Sequence, residues 1–154
     1  MPHPLPPQLL SQILMDPLSG AASVIAVVQI SKEILTLCGK YALDVKDAKD
    51  DIDRLSSEII ALRDVLNRVN DLAKGPDAAK FPALRDLTKT ISPCLSELMD
   101  LKTQLDPGKG RRAMRRLGLR ALKWPFKTED INKCIVSLER SKTTINLALS
   151  ADQR

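Results

Sequence analysis

Apolar residues recur at alternating intervals of three and four along much of the chain, which is the spacing of an amphipathic helix. The clearest repeat runs from about Asp44 to Ala73 and ends at Gly75-Pro76, a strong helix stop. It places apolar side chains at Val45, Ala48, Ile52, Leu55, Ile59, Leu62, Leu66, Val69 and Ala73. The pattern therefore predicts a long second helix. Its seven-residue period suits a coiled coil, but we favour a compact bundle because the other segments need a partner too.

A third segment repeats this spacing from about Pro82 to Leu105. Its apolar positions are Leu84, Leu87, Ile91, Cys94, Leu98, Leu101 and Leu105. Because Pro93 has no N–H to donate and its ring crowds the preceding turn, we expect a kink or a break there, with Ser92 as a fresh cap.

A last helix is predicted to start after Thr128, since Glu129 and Asp130 suit the positive N-terminal end of a helix. Its core positions are predicted to be Ile131, Ile135, Leu138, Ile145 and Leu149.

The first helix differs from these three because it has apolar residues on all sides. Asp16 caps it, Pro17 is its first residue, and it is predicted to run to about Cys38 with Gly39 as its stop. No charge occurs from Pro17 to Ser31, a stretch shorter than the roughly 18–20 residues that span a bilayer. We therefore expect burial at the bundle centre at rest, with insertion into lipid after release as a hypothesis.

A length of 154 residues suits one hydrophobic core, and an aromatic content of 3% leaves aliphatic side chains to fill it. We therefore predict an all-α fold, a compact bundle of four to six helices over residues 15–153. Residues 1–14 are interpreted as a flexible leader, which has no Lys or Arg and so does not resemble a secretory signal.

One stretch, from Lys109 to Lys127, has eight basic residues and no acidic one. The rest of the chain carries 16 basic against 19 acidic residues, a balance of −3, so the net charge of +5 is a local feature. If Arg111 to Trp124 is helical, its basic residues share one half of the circumference and Trp124 lies on the opposite arc.

This arrangement is typical of a helix on an anionic membrane surface. The candidate residues for lipid headgroups are Arg111, Arg112, Arg115, Arg116, Arg120, Lys123 and Lys127. The alternative is a short connecting helix with its apolar arc on the bundle and its arginines merely solvated. Nucleic acid is a weaker alternative, since no zinc-finger spacing, aromatic RNA-binding motif or helix-turn-helix accompanies the charge.

The residues needed for catalysis or metal binding are scarce. The only histidine is His3, and Cys38, Cys94 and Cys134 form no C-x-x-C pair, which argues against a disulfide framework or a zinc site. No phosphate-binding loop, nucleophile elbow or metalloprotease motif occurs. We therefore predict no enzymatic activity, no cofactor, no metal and no small-molecule substrate, and a reduced, cytosolic environment.

Three stretches of the chain stand out together: MDPLS with AASVIAV from Met15, LKWPFK from Leu122, and LERSK from Leu138 followed by LAL from Leu147. In their order and spacing they resemble the N-terminal domain of fungal STAND proteins, the NLR-like immune receptors, in the HeLo-like group. The resemblance covers about Met15 to Gln153. It implies a helical bundle that is normally followed by a nucleotide-binding oligomerisation module and a repeat sensor.

The same resemblance implies a role in programmed cell death, fungal immunity and heterokaryon incompatibility. Clustering would release the first helix, which would permeabilise the plasma membrane on recruitment from the cytoplasm. The candidate insertion residues are Leu18, Val24, Ile25, Val27, Val28 and Ile30. The expected partners are anionic lipids and further copies or other signalling domains. The alternative is an adaptor that binds another protein and touches no membrane.

Overall fold

The computed structural model describes residues 20–74, 87–106 and 123–152. In these ranges the chain forms four α-helices and no strand. We number them α1 (Gly20–Asp44), α2 (Lys49–Lys74), α3 (Thr88–Leu105) and α4 (Thr128–Asp152). The predicted all-α class and helical bundle are thereby confirmed.

Each helix packs mainly on two others. α1 packs against α2 and α3, and α4 closes the opposite side by packing against the same two helices. Consequently α1 and α4 lie across one diagonal of the bundle, and α2 and α3 lie across the other. The connection from α2 to α3, whose residues 75–86 lie outside the described ranges, therefore joins helices that are not close neighbours.

The direction of each helix follows from side-chain pairs. Arg54 donates to Asn132 and Arg68 donates to Asn146 at 3.2 Å, both across 78 residues, so α2 and α4 run parallel in constant register over two heptads. The hydroxyl of Thr128 donates to Asp51 at 2.8 Å and aligns the starts of these two helices.

α3 runs antiparallel to α4 and parallel to α1. Ser137 on α4 donates to Glu97 on α3 at 2.6 Å, and the Tyr41 hydroxyl of α1 donates to the Leu105 carbonyl at the end of α3 at 2.6 Å. One end of the bundle therefore holds the C-terminal ends of α1 and α3 and the first turns of α2 and α4. We call it the Tyr41 end.

The predicted apolar stripes form the core. The fully or nearly fully buried members are Ile52, Leu55, Ile59, Leu62, Leu66 and Val69 on α2, Ile91, Cys94, Leu98, Leu101 and Leu105 on α3, and Ile131, Leu138, Ile145 and Leu149 on α4. Val45 and Ile135 are half-buried and pack against this core. Leu84 lies outside the described residues.

The predicted end of the first helix at Gly39 is wrong, because α1 continues to Asp44. The reason is tertiary: Tyr41 is 3% exposed, and its packing and hydrogen bond to Leu105 hold the helix together beyond the glycine. The second helix accordingly begins at Lys49 rather than at Asp44, after a turn that joins it to α1.

α3 is continuous through Pro93, and the predicted break is not found. Pro93 faces solvent, so water can hydrate the carbonyl of the preceding turn that loses its N–H partner. The expected start at Pro82 and the stop at Gly75-Pro76 lie outside the described residues.

Gly39→Ala is expected to stabilise the protein by about 1 kcal/mol, because glycine is a poor helix former and loses more backbone entropy on folding than alanine. A Cβ at this position would meet no atom within 4 Å. Denaturant unfolding measures the change. The matched control is Ala42→Gly, also exposed on α1, which is expected to destabilise by a similar amount. A loss of stability for Gly39→Ala would contradict the helical role assigned to this residue.

Candidate membrane-active site

α1 is the one helix within the described residues that is long and apolar enough to cross a membrane by length and composition, over Ala22–Asp44. In the folded protein 39% of its most apolar window is buried. The core helix of a soluble protein can show the same length and composition. The contacts that hold α1 in place therefore decide whether it can leave the bundle.

The structure places most of the predicted insertion residues in the core. Val24, Val27 and Ile30 are buried at 2%, 0% and 9% exposure, and Val28 packs half-buried against them. Ile25 faces outward at 39% exposure. Leu18 lies outside the described residues. One side of α1 is thus buried at rest. The predicted place at the bundle centre is wrong for the described residues, because α1 occupies a corner of the four-helix bundle and its other side is exposed.

The polar contacts between α1 and the other helices all lie in its C-terminal half. Glu33 forms an ion pair with Lys102, the Cys38 thiol forms a hydrogen bond with Ser56, and the Tyr41 hydroxyl binds the Leu105 carbonyl. The described residues before Glu33 make no such contact. The Ser31 hydroxyl donates a hydrogen bond to the Val27 carbonyl of its own helix at 2.7 Å, and the buried Ser23 hydroxyl has no hydrogen-bond partner among the described residues. Among the described residues, the N-terminal half is therefore held by apolar contacts alone.

Three aromatic rings form a cluster at the Tyr41 end. The Trp124 ring lies edge-on to Tyr41, with centroids 5.4 Å apart, and edge-on to Phe126 at 5.2 Å. The sequence reading missed Tyr41, although its spacing after Ile34 and Cys38 continues the core repeat of α1. The misread stop at Gly39 concealed that signal. Trp124 is half-buried in this cluster and packs against the core.

The predicted headgroup residues are only partly visible in the structure. Lys123 and Lys127 are exposed on either side of the Trp124–Phe126 pair, and residues 123–127 are not helical, so the proposed helix from Arg111 does not extend to Trp124. Neither lysine forms an ion pair with another described residue. Arg111, Arg112, Arg115, Arg116 and Arg120 lie outside the described residues.

The family model of the pigment biosynthesis cluster protein PigL N-terminal domain matches residues 15–153. The chain belongs to this family. It is a fungal domain family, which agrees with the fungal origin implied by the resemblance. No curated protein and no solved structure matches the chain.

In this member of the PigL N-terminal family, a group of buried and half-buried polar side chains connects α2, α3 and α4. Glu58 on α2 is 9% exposed and forms an ion pair with Lys142 on α4. The Lys142 Nζ lies 3.1 Å from the Glu58 Oε1, but the angles do not make this contact a hydrogen bond. The Glu97 carboxylate on α3 accepts a hydrogen bond from the Ser137 hydroxyl and also forms a hydrogen bond with the Cys134 thiol. No group of three metal-ligating side chains occurs within the described residues.

The three cysteines are free and buried. Burial, followed by the charge of Glu97, raises the pKa of Cys94 to about 12, although a hydrogen bond with Ser141 acts in the opposite direction. Burial, followed by the charge of Glu97, raises the pKa of Cys134 to about 12 as well. Burial also raises the pKa of Cys38. These thiols therefore stay protonated at neutral pH, where a nucleophile or metal ligand would need the thiolate.

The raised pKa values predict a loss of stability in alkali. Between pH 9 and about 12 the unfolded chain releases thiol protons that the folded protein retains, so the free energy of unfolding falls as pH rises. The slope is up to about 1.4 kcal/mol per pH unit for each thiol. Denaturant unfolding at pH 8 and pH 10 is expected to show a smaller loss for Cys94→Val/Cys134→Val than for the wild type. If the free energy of unfolding fell equally between these pH values in the variant and the wild type, these thiols would be ruled out as the cause.

Proposed function

We propose that this domain is the N-terminal effector and signalling domain of a fungal NLR-like immune receptor of the HeLo-like group. It induces cell death by oligomerising and by permeabilising the plasma membrane through α1. Membership of the PigL N-terminal family gives the fungal setting, and the resemblance of the MDPLS, LKWPFK and LERSK stretches to HeLo-like domains supports the finer assignment.

The observation that carries this proposal is the apolar attachment of the N-terminal half of α1. Moving buried apolar side chains such as Val24 and Val27 from the protein interior into lipid costs little free energy, because both environments exclude water. A buried ion pair or hydrogen-bond network would instead leave unpaired polar groups behind on release. With the other described helices, α1 makes polar contacts only from Glu33 onward.

The charge pattern of α1 is consistent with partial insertion. The first charges after the uncharged stretch are Lys32 and Glu33, and a lysine at that depth can extend its ammonium to the headgroups. Because the uncharged stretch is shorter than a bilayer, one copy cannot form a pore. Permeabilisation therefore requires several copies, which agrees with activation by clustering.

The basic stretch supplies the second contact with the membrane. Each well-placed cation near an anionic surface contributes about 1 kcal/mol to binding. Lys123 and Lys127 are exposed and are free of ion pairs with other described residues. Together with the arginines of the same stretch they would recruit the bundle to anionic lipid before α1 leaves it.

Ile25→Lys is expected to abolish most membrane permeabilisation and leave the folded bundle intact. Ile25 is already 39% exposed, so a lysine there is tolerated in water, but a charge near the middle of an inserted helix costs about 3 kcal/mol, roughly a hundredfold in insertion. The measurement is dye release from phosphatidylserine vesicles by the protein fused to an inducible dimerisation domain.

The matched control is Val136→Lys on α4, which adds the same charge at a position of 47% exposure outside α1. It is expected to release dye like the wild type. Equal activity of Ile25→Lys and wild type would exclude α1 as the inserting segment. Equal loss in both variants would instead attribute the effect to net charge.

Changing Arg111, Arg112, Arg115 and Arg116 to Glu is expected to weaken binding to anionic vesicles by at least about 4 kcal/mol without unfolding the protein. Vesicle cosedimentation measures the binding, and circular dichroism checks the fold. A control with the same change of net charge uses four exposed residues on the bundle, Lys49, Lys89, Lys133 and Arg140. Unchanged binding of the arginine variant would remove the basic stretch from the mechanism.

The adaptor function remains the second candidate, and two exposed side chains favour it. Val136 and Leu147 are 47% and 66% exposed on α4, on the side of the bundle opposite α1, where a partner protein could pack. Lipid binding that depends on phosphatidylserine and falls with salt supports the membrane function. Absence of binding at every vesicle charge density supports the adaptor.

A further inference from the structure

We propose that the domain associates with itself by packing the outer face of α1 in one copy against the outer face of α2 in the next. This inference concerns the resting bundle. It holds whether or not the protein permeabilises membranes.

The α1 outer face is a stripe with the 3-4 spacing of a helix-packing surface. It consists of Ile25, Gln29, Lys32, Thr36, Gly39 and Leu43, all exposed. Apolar side chains stand at its two ends, since Ile25 is 39% and Leu43 is 81% exposed. Its charges are positive, from Lys32 and the adjacent Lys40, while the neighbouring Glu33 is engaged by Lys102. The stripe is about 27 Å long at 1.5 Å per residue.

The α2 outer face has the same spacing and the opposite charge. It consists of Asp50, Asp53, Ser57, Ile60, Asp64, Asn67 and Asp71, all exposed. Ile60, at the centre, is 40% exposed. Its length is about 31 Å, close to that of the α1 outer face.

The bases near the α2 outer face leave its negative charge in place. Lys49 stands at its first turn, and Arg63 lies 3.9 Å from the Asp64 carboxylate. Arg54 and Arg68 instead donate to Asn132 and Asn146 on α4. Among the side chains that the structure describes, two bases at the margins of this face therefore stand against its four carboxylates.

Charge decides how two copies would meet. A symmetric contact of two α1 outer faces would bring lysines together, and one of two α2 outer faces would bring aspartates together. Only α1 against α2 places Lys32 and Lys40 among the carboxylates and the apolar ends beside Ile60. Such a contact is heterologous, and because both faces belong to the same chain it continues from copy to copy, either closing into a ring or growing as an array.

The test uses one variant for each face. Lys32→Glu/Lys40→Glu reverses the α1 outer face, and Asp53→Lys/Asp64→Lys reverses the α2 outer face; all four positions are exposed, so the fold is expected to persist. Sedimentation velocity over a range of protein concentrations measures the mass. Wild type is expected to form oligomers that dissociate as salt is raised, and each variant alone is expected to be a monomer of about 17 kDa.

Mixing the two variants restores opposite charge at both contacts. The intact lysines of the Asp53→Lys/Asp64→Lys copy meet the intact carboxylates of the Lys32→Glu/Lys40→Glu copy, and the introduced glutamates meet the introduced lysines. The mixture is therefore expected to form oligomers like those of the wild type. A control pair, Lys133→Glu and Asp100→Lys on exposed positions of α4 and α3, is expected to associate like the wild type. A monomeric wild type at all concentrations, or a mixture that stays monomeric while each variant is folded, would overturn the proposal.

This measurement contains no lipid, so its failure is distinct from failure of the membrane function. Dye release depends on α1 leaving the bundle under forced dimerisation. Sedimentation depends only on the two outer faces of the folded protein.

Discussion

The arrangement of the bundle follows from the need to cover the apolar side chains of α1. A helix without charge up to Ser31 cannot remain in water, so its apolar side chains must be covered over most of its circumference. α2 and α3 provide that cover by packing on it from two sides, and α4 packs on the far side of both. The diagonal arrangement, with α2 and α3 not adjacent, follows from the need to enclose α1.

The attachment of α4 to the bundle differs from that of the first half of α1. α4 is joined to α2 and α3 by a buried ion pair at Glu58, by the Ser137–Glu97 hydrogen bond and by the arginine–asparagine pairs in constant register. Separating α4 would leave the buried Glu58 carboxylate without its partner, which costs more than the loss of apolar contact alone. The first half of α1 has no comparable polar attachment within the described residues. It is therefore the segment whose release disturbs the fewest polar groups.

The Tyr41 end limits how far such a release extends. The Tyr41 hydroxyl bonds to the end of α3, and its ring packs on Trp124, which also contacts Phe126. These contacts fasten the C-terminal half of α1 to the segment that carries Lys123 and Lys127. An anchored second half beside a cationic segment would keep a released first half close to any surface that the lysines had reached.

The helical class, the three amphipathic stripes and the burial of one side of the first helix could be predicted from the amino-acid sequence. Each depends on local periodicity or composition, as in the stripe from Ile52 to Val69, and burial of one face is the only stable outcome of such a pattern. The other features, including the position of α1 at a corner of the bundle, depend on contacts between helices. Gly39 lies inside a helix although glycine tends to end helices. The burial of Tyr41 beyond it, and the hydrogen bond from Tyr41 to the Leu105 carbonyl, outweigh that tendency. The parallel register of α2 and α4, and the meeting of Glu58 with Lys142, join residues far apart in the chain. No local pattern encodes such pairs, because their energies depend on which helices become neighbours.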